Sequence, residues 1–210
     1  MEKMLFLSPH SDDEILGMGG SISKFVKDGH KCYVYYVGID ERDAGPGRPV
    51  KEKRLEELKK VAKFFGFEPI VNEKNLVNNY VERDLIKQFE EVINKIKPNR
   101  VFIPFPSYNQ DHRTVYNAAL IALRPHDRNH FVSKVLVYEQ EHVVVWDPKP
   151  NLPTYYIPID IERKLAAYKI YETQVRGMRP PELLRSIAKI RGVSANVPYA
   201  EACQVYRWVD

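Results

Sequence analysis

The feature that most restricts the fold of this chain is an alternation. Short runs rich in β-branched and aromatic residues fall at 4–7, 32–37, 69–71, 100–104 and 134–138. Between them lie longer stretches whose apolar residues recur about every 3.6 positions, the period of an amphipathic helix. The clearest spans 82–96, where Leu85, Ile86, Phe89, Val92, Ile93 and Ile96 share one face. A helix over 51–65 groups Leu55, Leu58, Ala62 and Phe65, and Gly66 stops it. An earlier helix carries Ile15, Ile22, Phe25 and Val26 and ends at Asp28-Gly29. Another begins after residues 106–112 and runs to near Leu123. Strand and helix in repeated order predict an α/β fold. A parallel pair needs a crossover long enough to hold a helix, so the sheet should be mainly parallel with helices on both faces.

The last third reads differently. Strand candidates at 142–146 and 154–159 flank a Pro-rich turn at 147–153. Helices are expected over 162–174 and 181–191, and the stretch 199–209 alternates polar and apolar residues at its end. There is no internal repeat or linker, and 210 residues suit one domain at roughly 100–200 residues each, so a single domain over 1–210 is expected.

Composition then removes several functions. Lys and Arg outnumber Asp and Glu by 32 to 28, a net charge of +4 without the concentrated basic footprint of a nucleic-acid binder. No apolar run approaches the roughly 18 residues of a membrane span, so membrane insertion is not expected. The opening turns acidic after four apolar residues, unlike a signal peptide. Cys32 and Cys203 make neither a disulfide scaffold nor a metal pattern. A cytoplasmic, reducing setting is the expectation.

Two polar loops leave predicted strands, where open α/β sheets bind their ligands. The first is Pro9-His10-Ser11-Asp12-Asp13-Glu14, the second Asn109-Gln110-Asp111-His112. A catalytic zinc ion takes three N/O ligands and keeps one position open for water. His10 and Asp13 are spaced so that one turn can aim both at a point, and His112 can complete the set. Asp12 would then stand beside a zinc-bound water and take its proton. The alternative is structural: Asp12 and Asp13 as helix caps, His10 bonded to backbone. Two histidines favour zinc or another transition metal over magnesium or calcium.

The first loop, continuing into Ile15-Leu16-Gly17-Met18-Gly19-Gly20, resembles the PHPDDE opening of the PIG-L/LmbE-like zinc-dependent N-deacetylases. Asn109-Gln110-Asp111-His112-Arg113 resembles that family's HxDH motif. Tyr171-Glu172-Thr173-Gln174, Arg191-Gly192 and Tyr199-Ala200-Glu201-Ala202 are similar to its C-terminal region. The resemblance implies a Rossmann-like fold and removal of an acetyl group from an N-acetylated amino sugar or glycoconjugate of GlcNAc type. It places zinc ligands at His10, Asp13 and His112, the general base at Asp12, and an orienting role at Asp111. Family members include homo-oligomers, and the C-terminal third is where an interface would be expected.

Two departures stand out. Ser11 replaces the motif's Pro, which is expected to cost only loop rigidity. Asn109 replaces the first His; an amide can donate to an oxyanion but cannot act as a general acid, so Asp12 is expected to return its proton to the leaving amine. Arg54 is a substrate-binding candidate, or part of a solvated face with Lys51, Lys53 and Lys59. Arg42 and Arg48 in the 38–50 loop can meet a sugar or phosphate, or only solvent. Tyr108 and Trp146 can stack on a sugar ring. Glu139 faces either the pocket or the surface. His126, His130 and His142 are read as non-ligands, and Gly19-Gly20 as a site of close helix packing. The competing functions are an amidohydrolase acting on another acylated cofactor or natural-product intermediate, and a non-catalytic sugar- or nucleotide-binding module.

Overall fold

The computed structural model describes residues 1–39, 51–145, 147–148 and 151–210. The elements run β1 (Lys3–Ser8), α1 (Asp13–Lys27), β2 (Lys31–Tyr36), α2 (Lys51–Phe65), β3 (Glu68–Val71), α3 (Glu82–Ile96), β4 (Arg100–Pro104), α4 (Gln110–Ala122) and β5 (Lys134–Tyr138). Then follow α5 (Glu141–Val145), β6 (Tyr155–Pro158), α6 (Ile161–Tyr168), α7 (Pro181–Ser194) and β7 (Ala200–Trp208). The Arg42, Arg48 and Trp146 readings lie outside the described residues, as does most of the 38–50 loop.

The sheet has seven strands in the order β3-β2-β1-β4-β5-β7-β6. Strands β1 to β5 pair in parallel, with Met4 opposite both Cys32 and Arg100. Strand β7 is antiparallel to β5 and to the edge strand β6. The chain winds outward from β1 to β3, then restarts at β4 on the other side of β1. That reversal puts the topological switch between β1 and β4, and it opens a crevice at their carboxyl ends. Both motif loops leave from those two strands.

Side chains alternate across the pleat, so each face of the sheet has its own core. Met4, Phe6, Phe102 and Tyr138 pack on the face covered by α1, α2, α6 and α7. Leu5, Leu7, Val101 and Ile103 pack on the other, under α3 and α4. The α3 stripe expected from the sequence is the buried stripe, and Lys97 closes that helix in the left-handed region at φ 54°. Helix α1 is buried on nearly every side. Its glycines permit this: a Cβ on Gly17 would lie 2.4 Å from the Tyr138 ring, and one on Gly20 would lie 2.7 Å from Ile159. Close packing therefore rests on Gly17 and Gly20.

Of the strand expected over 142–146, the described residues 142–145 are not extended. Residues Glu141–Val145 are the short helix α5, whose Val143 and Val144 amides bond to the Gln140 carbonyl. The place beside β5 is taken by β7, which leaves no edge for a strand made of Val143 to Val145. The expected helix over 162–174 ends at Tyr168. A series of turns follows, pinned where the Tyr168 hydroxyl reaches the carbonyls of Gln174 and Arg179.

The antiparallel end also grips α1. Glu201 on β7 accepts from the Gly20 and Ser21 amides at 2.9 and 2.7 Å. Lys164 on α6 donates to Glu201 at 2.7 Å and to the Leu16 carbonyl at 2.8 Å. Both charged groups are buried. Each satisfies the other while the remaining donors and acceptors close on helix backbone, the condition under which a buried pair is tolerated.

Candidate metal centre and active site

The loop after β1 is folded by its own polar atoms. Ser8 Oγ donates to the His10 carbonyl at 2.7 Å and accepts from the Glu14 amide at 3.2 Å. The His10 amide donates to Asp13 Oδ2 at 2.8 Å. That oxygen also lies 3.2 Å from His10 Nδ1 and 3.3 Å from His112 Nε2. His10, Asp13 and His112 thus offer ligand atoms all within 4.8 Å of one another. They are the cluster of metal-ligating type found among the described residues.

The surrounding groups fit a cation at that point. Burial opposes the charge on Asp13, but the neighbouring His112 and His10 hold its carboxyl well below the usual range. Burial likewise opposes a charge on His10. Hydrogen bonds to Asp111 and Asp13, with the charges of Asp13 and Asp12, outweigh it and push the imidazole up to about 10. Electrostatics that hold a proton so firmly will also favour a metal ion bound between these side chains. The buried Nδ1 of His112 has no hydrogen-bond partner among the described residues. A His–Asp–His donor set suits zinc and similar transition ions.

Neighbours aim these donors. Asp111 Oδ2 meets His10 Nε2 at 2.9 Å, which leaves Nδ1 facing Asp13. Asp111 thus touches the His10 ring directly. Gln140, just past β5, donates from Nε2 to Asp13 Oδ1 at 2.5 Å. Contacts of this kind fix ligand orientation and histidine tautomer.

Asp12 stands next to the triad but outside it. It occupies the N-cap position of α1, yet its side chain makes no capping hydrogen bond. Instead Oδ2 accepts from Arg179 Nη1 at 2.8 Å, and Oδ1 lies 3.8 Å from Arg54 Nη2. The cap alternative fails for this side chain. Arg179 also reaches Glu141 at 2.9 Å. Burial works against its charge, but Asp12 and Glu141 keep it protonated well above the ordinary guanidinium range.

Arg54 is only 3% exposed, so the solvated-face alternative fails too. Its Nε donates to Ser11 Oγ at 2.8 Å. Ser11 thus costs more than loop rigidity if removed: its hydroxyl anchors the cation beside Asp12. Glu14 is enclosed behind the loop. Burial, reinforced by the Asp12 charge, raises it to about 8 against the hydrogen bond from the Tyr171 hydroxyl at 2.6 Å.

Asn109 lies at the start of α4 and caps it, its Oδ1 accepting from the Asp111 amide at 2.8 Å. Its amide nitrogen is a separate donor. Tyr108, 47% exposed, forms a rim. Its ring meets His142 edge-on at 5.5 Å, and His142 in turn lies 5.3 Å from the His112 ring. His142 is not part of the His10–Asp13–His112 cluster but packs against it. Its α5 position gave no such signal in sequence. Glu139 is buried away from solvent: Arg191 bridges it at 2.5 and 2.8 Å, and Asn151 adds a third bond. His130 bonds to the Pro98 carbonyl and His126 to Asn129, both as structural contacts. Sequence reasoning missed Gln140, Arg179 and Asn78 altogether. Tyr171, Arg191 and Glu201 had been marked by resemblance, without a role.

Fold and site together define a mainly parallel α/β chain with a candidate metal centre at the switch point of its sheet. The sequence model of the GlcNAc-PI de-N-acetylase family, PIG-L, matches residues 5–123, and the chain belongs to that family. It is accordingly an N-deacetylase of the family that acts on N-acetylated amino sugars. A diacetylchitobiose deacetylase of Thermococcus kodakarensis is 27% identical, over 96% of this chain and 82% of its own length. The N,N'-diacetylchitobiose deacetylase structure from Pyrococcus horikoshii superposes with a TM-score of 0.81 at 20% identity, covering 98% of this chain and 84% of that one. The 4-carboxy-2-hydroxymuconate hydratase GalB from Pseudomonas putida superposes with a TM-score of 0.82 at 21% identity, covering 100% and 99%. A hydratase shares this fold, so the architecture alone does not specify the reaction. No helix among the described residues is long and apolar enough to cross a membrane.

Proposed function

We propose that this chain is a zinc-dependent deacetylase of a small GlcNAc-type substrate, with Asp12 as its proton-transfer group. The observation that carries the reading is the position of Asp12. It abuts the His10–Asp13–His112 cluster, leaves its helix uncapped, and is buried between two guanidinium groups. His10, Asp13 and His112 would hold the ion, which when bound polarises an acetyl carbonyl and lowers the pKa of water.

The remaining steps belong to this chain's own groups. Arg179 occupies Oδ2 of Asp12 and leaves Oδ1 to take a proton from the attacking water. Asn109, its carbonyl oxygen committed to the helix cap, turns its NH2 group to the carbonyl oxygen as negative charge develops there. Asp12 then hands its proton to the nitrogen as the C–N bond breaks, releasing acetate and a free amine. Arg54 holds the Asp12 loop and meets a polar group of the substrate. Tyr108 supplies a face for the sugar ring. The chain works as one catalytic unit, and its buried thiols, Cys32 and Cys203, suit the cytoplasm.

The test is zinc content together with acetate release from N-acetylglucosamine and N,N'-diacetylchitobiose, with and without a chelator. Release that depends on metal and disappears in His112→Ala is expected. Release that survives both treatments would refute the mechanism.

A further inference from the structure

We propose that the segment 72–80, between β3 and α3, is a positioning strap that ties the two metal-bearing loops together, with Asn78 as its key residue. The inference rests on the metal reading of His10, Asp13 and His112, and extends it to a third loop.

Asn78 is held in the left-handed region at φ 65°. In that conformation its peptide groups reach α4 from both sides. The Asn78 amide donates to Asp111 Oδ2 at 2.8 Å, and its carbonyl accepts from Gln110 Nε2 at 2.9 Å. The Oδ2 atom it engages is the one that meets His10 Nε2 at 2.9 Å. A buried carboxylate oxygen shared between a backbone amide and an imidazole has little freedom to rotate. Two residues on, the Tyr80 hydroxyl donates to the Pro9 carbonyl at 2.7 Å, and its ring lies 6.3 Å from that of His10. The strap therefore contacts the loop after β1 and the loop after β4.

Its base is rigid. Asn72 and Asn75 each donate from Nδ2 to Gln88 Oε1 at 2.9 Å, and Asn75 Nδ2 also reaches the Val37 carbonyl at 2.8 Å. Gln88, on α3, thus fixes the strap, which fixes Asp111, which orients His10. Asn and Gly tolerate the left-handed region, whereas a β-branched residue is strained there. The chemistry predicts a specific pattern of metal affinity, because removing an outer partner of a metal ligand costs about 10–100-fold in affinity.

The experiment measures the zinc dissociation constant by chelator competition for the wild type, His112→Ala, Asn78→Gly, Asn78→Val and Tyr80→Phe. Melting of the chelated proteins serves as the control for folding. Asn78→Gly should bind like the wild type, Asn78→Val about 10–100-fold more weakly, and Tyr80→Phe measurably more weakly, with the melting point of chelated Tyr80→Phe unchanged. Wild-type affinity in Asn78→Val overturns the strap. Should Asn78→Val fail to fold, Tyr80→Phe decides: weaker binding supports the strap and unchanged binding overturns it. A wild type that binds no more tightly than His112→Ala overturns the metal reading and the strap with it, an outcome distinct from failure of the strap alone.

Discussion

The parallel part of the molecule and its antiparallel end divide the work of the site. Strands β1 and β4 deliver every group of the candidate centre: His10, Asp12, Asp13, Asp111 and His112. The stretch beyond β5 contributes none of these. It holds them instead, through Gln140 on Asp13, Arg179 on Asp12, Tyr171 on Glu14, and Lys164 with Glu201 on the backbone of α1. The match to the family model ends at residue 123, on the same side of the divide. Groups that touch a metal or substrate are confined to few chemistries. Groups that orient them come from both sides of the divide: Asp111 lies beside His112 at the start of α4, whereas Gln140 and Arg179 arrive from beyond β5.

Substitutions can break this division or sharpen it. The largest effect is expected for His112→Ala: no stoichiometric zinc by elemental analysis, and a loss of activity on the order of 10⁴-fold or more, as when one member of a cooperating set is removed. A residue beyond β5 with an equally complete effect on zinc content would break the comparison. Asp12→Asn should keep its zinc and lose about 10²–10⁴-fold in kcat, the range of a general base. Retention of full kcat would remove Asp12 from the mechanism.

Lys164→Met should act on stability rather than chemistry. It leaves Glu201 buried against a partner it no longer has, which costs about 3–5 kcal/mol. Denaturant unfolding would show this as a lower midpoint. Lys164→Met combined with Glu201→Leu should recover part of the loss, since the stranded charge is gone. Gln140→Leu is the smallest and most discriminating change. It should weaken zinc binding about 10–100-fold, with saturated zinc restoring most activity. Affinity equal to the wild type would mean that Asp13 is held by its histidine neighbours alone.

The same division describes what could be read in advance. Helices α2 and α3 and strands β4 and β5 span the residues expected from their patterns. Each is set by local periodicity and ended by a local signal, such as Gly66 at φ 85°. The pairing of His10 with Asp13 was legible because its three-residue spacing is local; His112 comes from a distant loop and meets them because β1 pairs with β4. The run Val143 to Val145 has strand-like composition, yet its place beside β5 belongs to β7, which arrives from the end of the chain. Arg54 sits on a helix rich in lysine. Nothing nearby in sequence distinguishes it from Lys53, which lies on the surface; its buried contacts include Ser11 and Asp12, more than 40 positions away.

Residue type and short-range spacing were sufficient to specify the alternation of strand and helix, the two polar loops at strand ends, and the candidate donor side chains within each loop. Those properties depend on contacts within a turn or along a strand. The direction in which Asp12 points, the tautomer of His10 and the burial of Arg54 depend on partners 43 to 167 positions distant. Such partners meet because the sheet folds the chain back on itself, and no local pattern records which ones will meet.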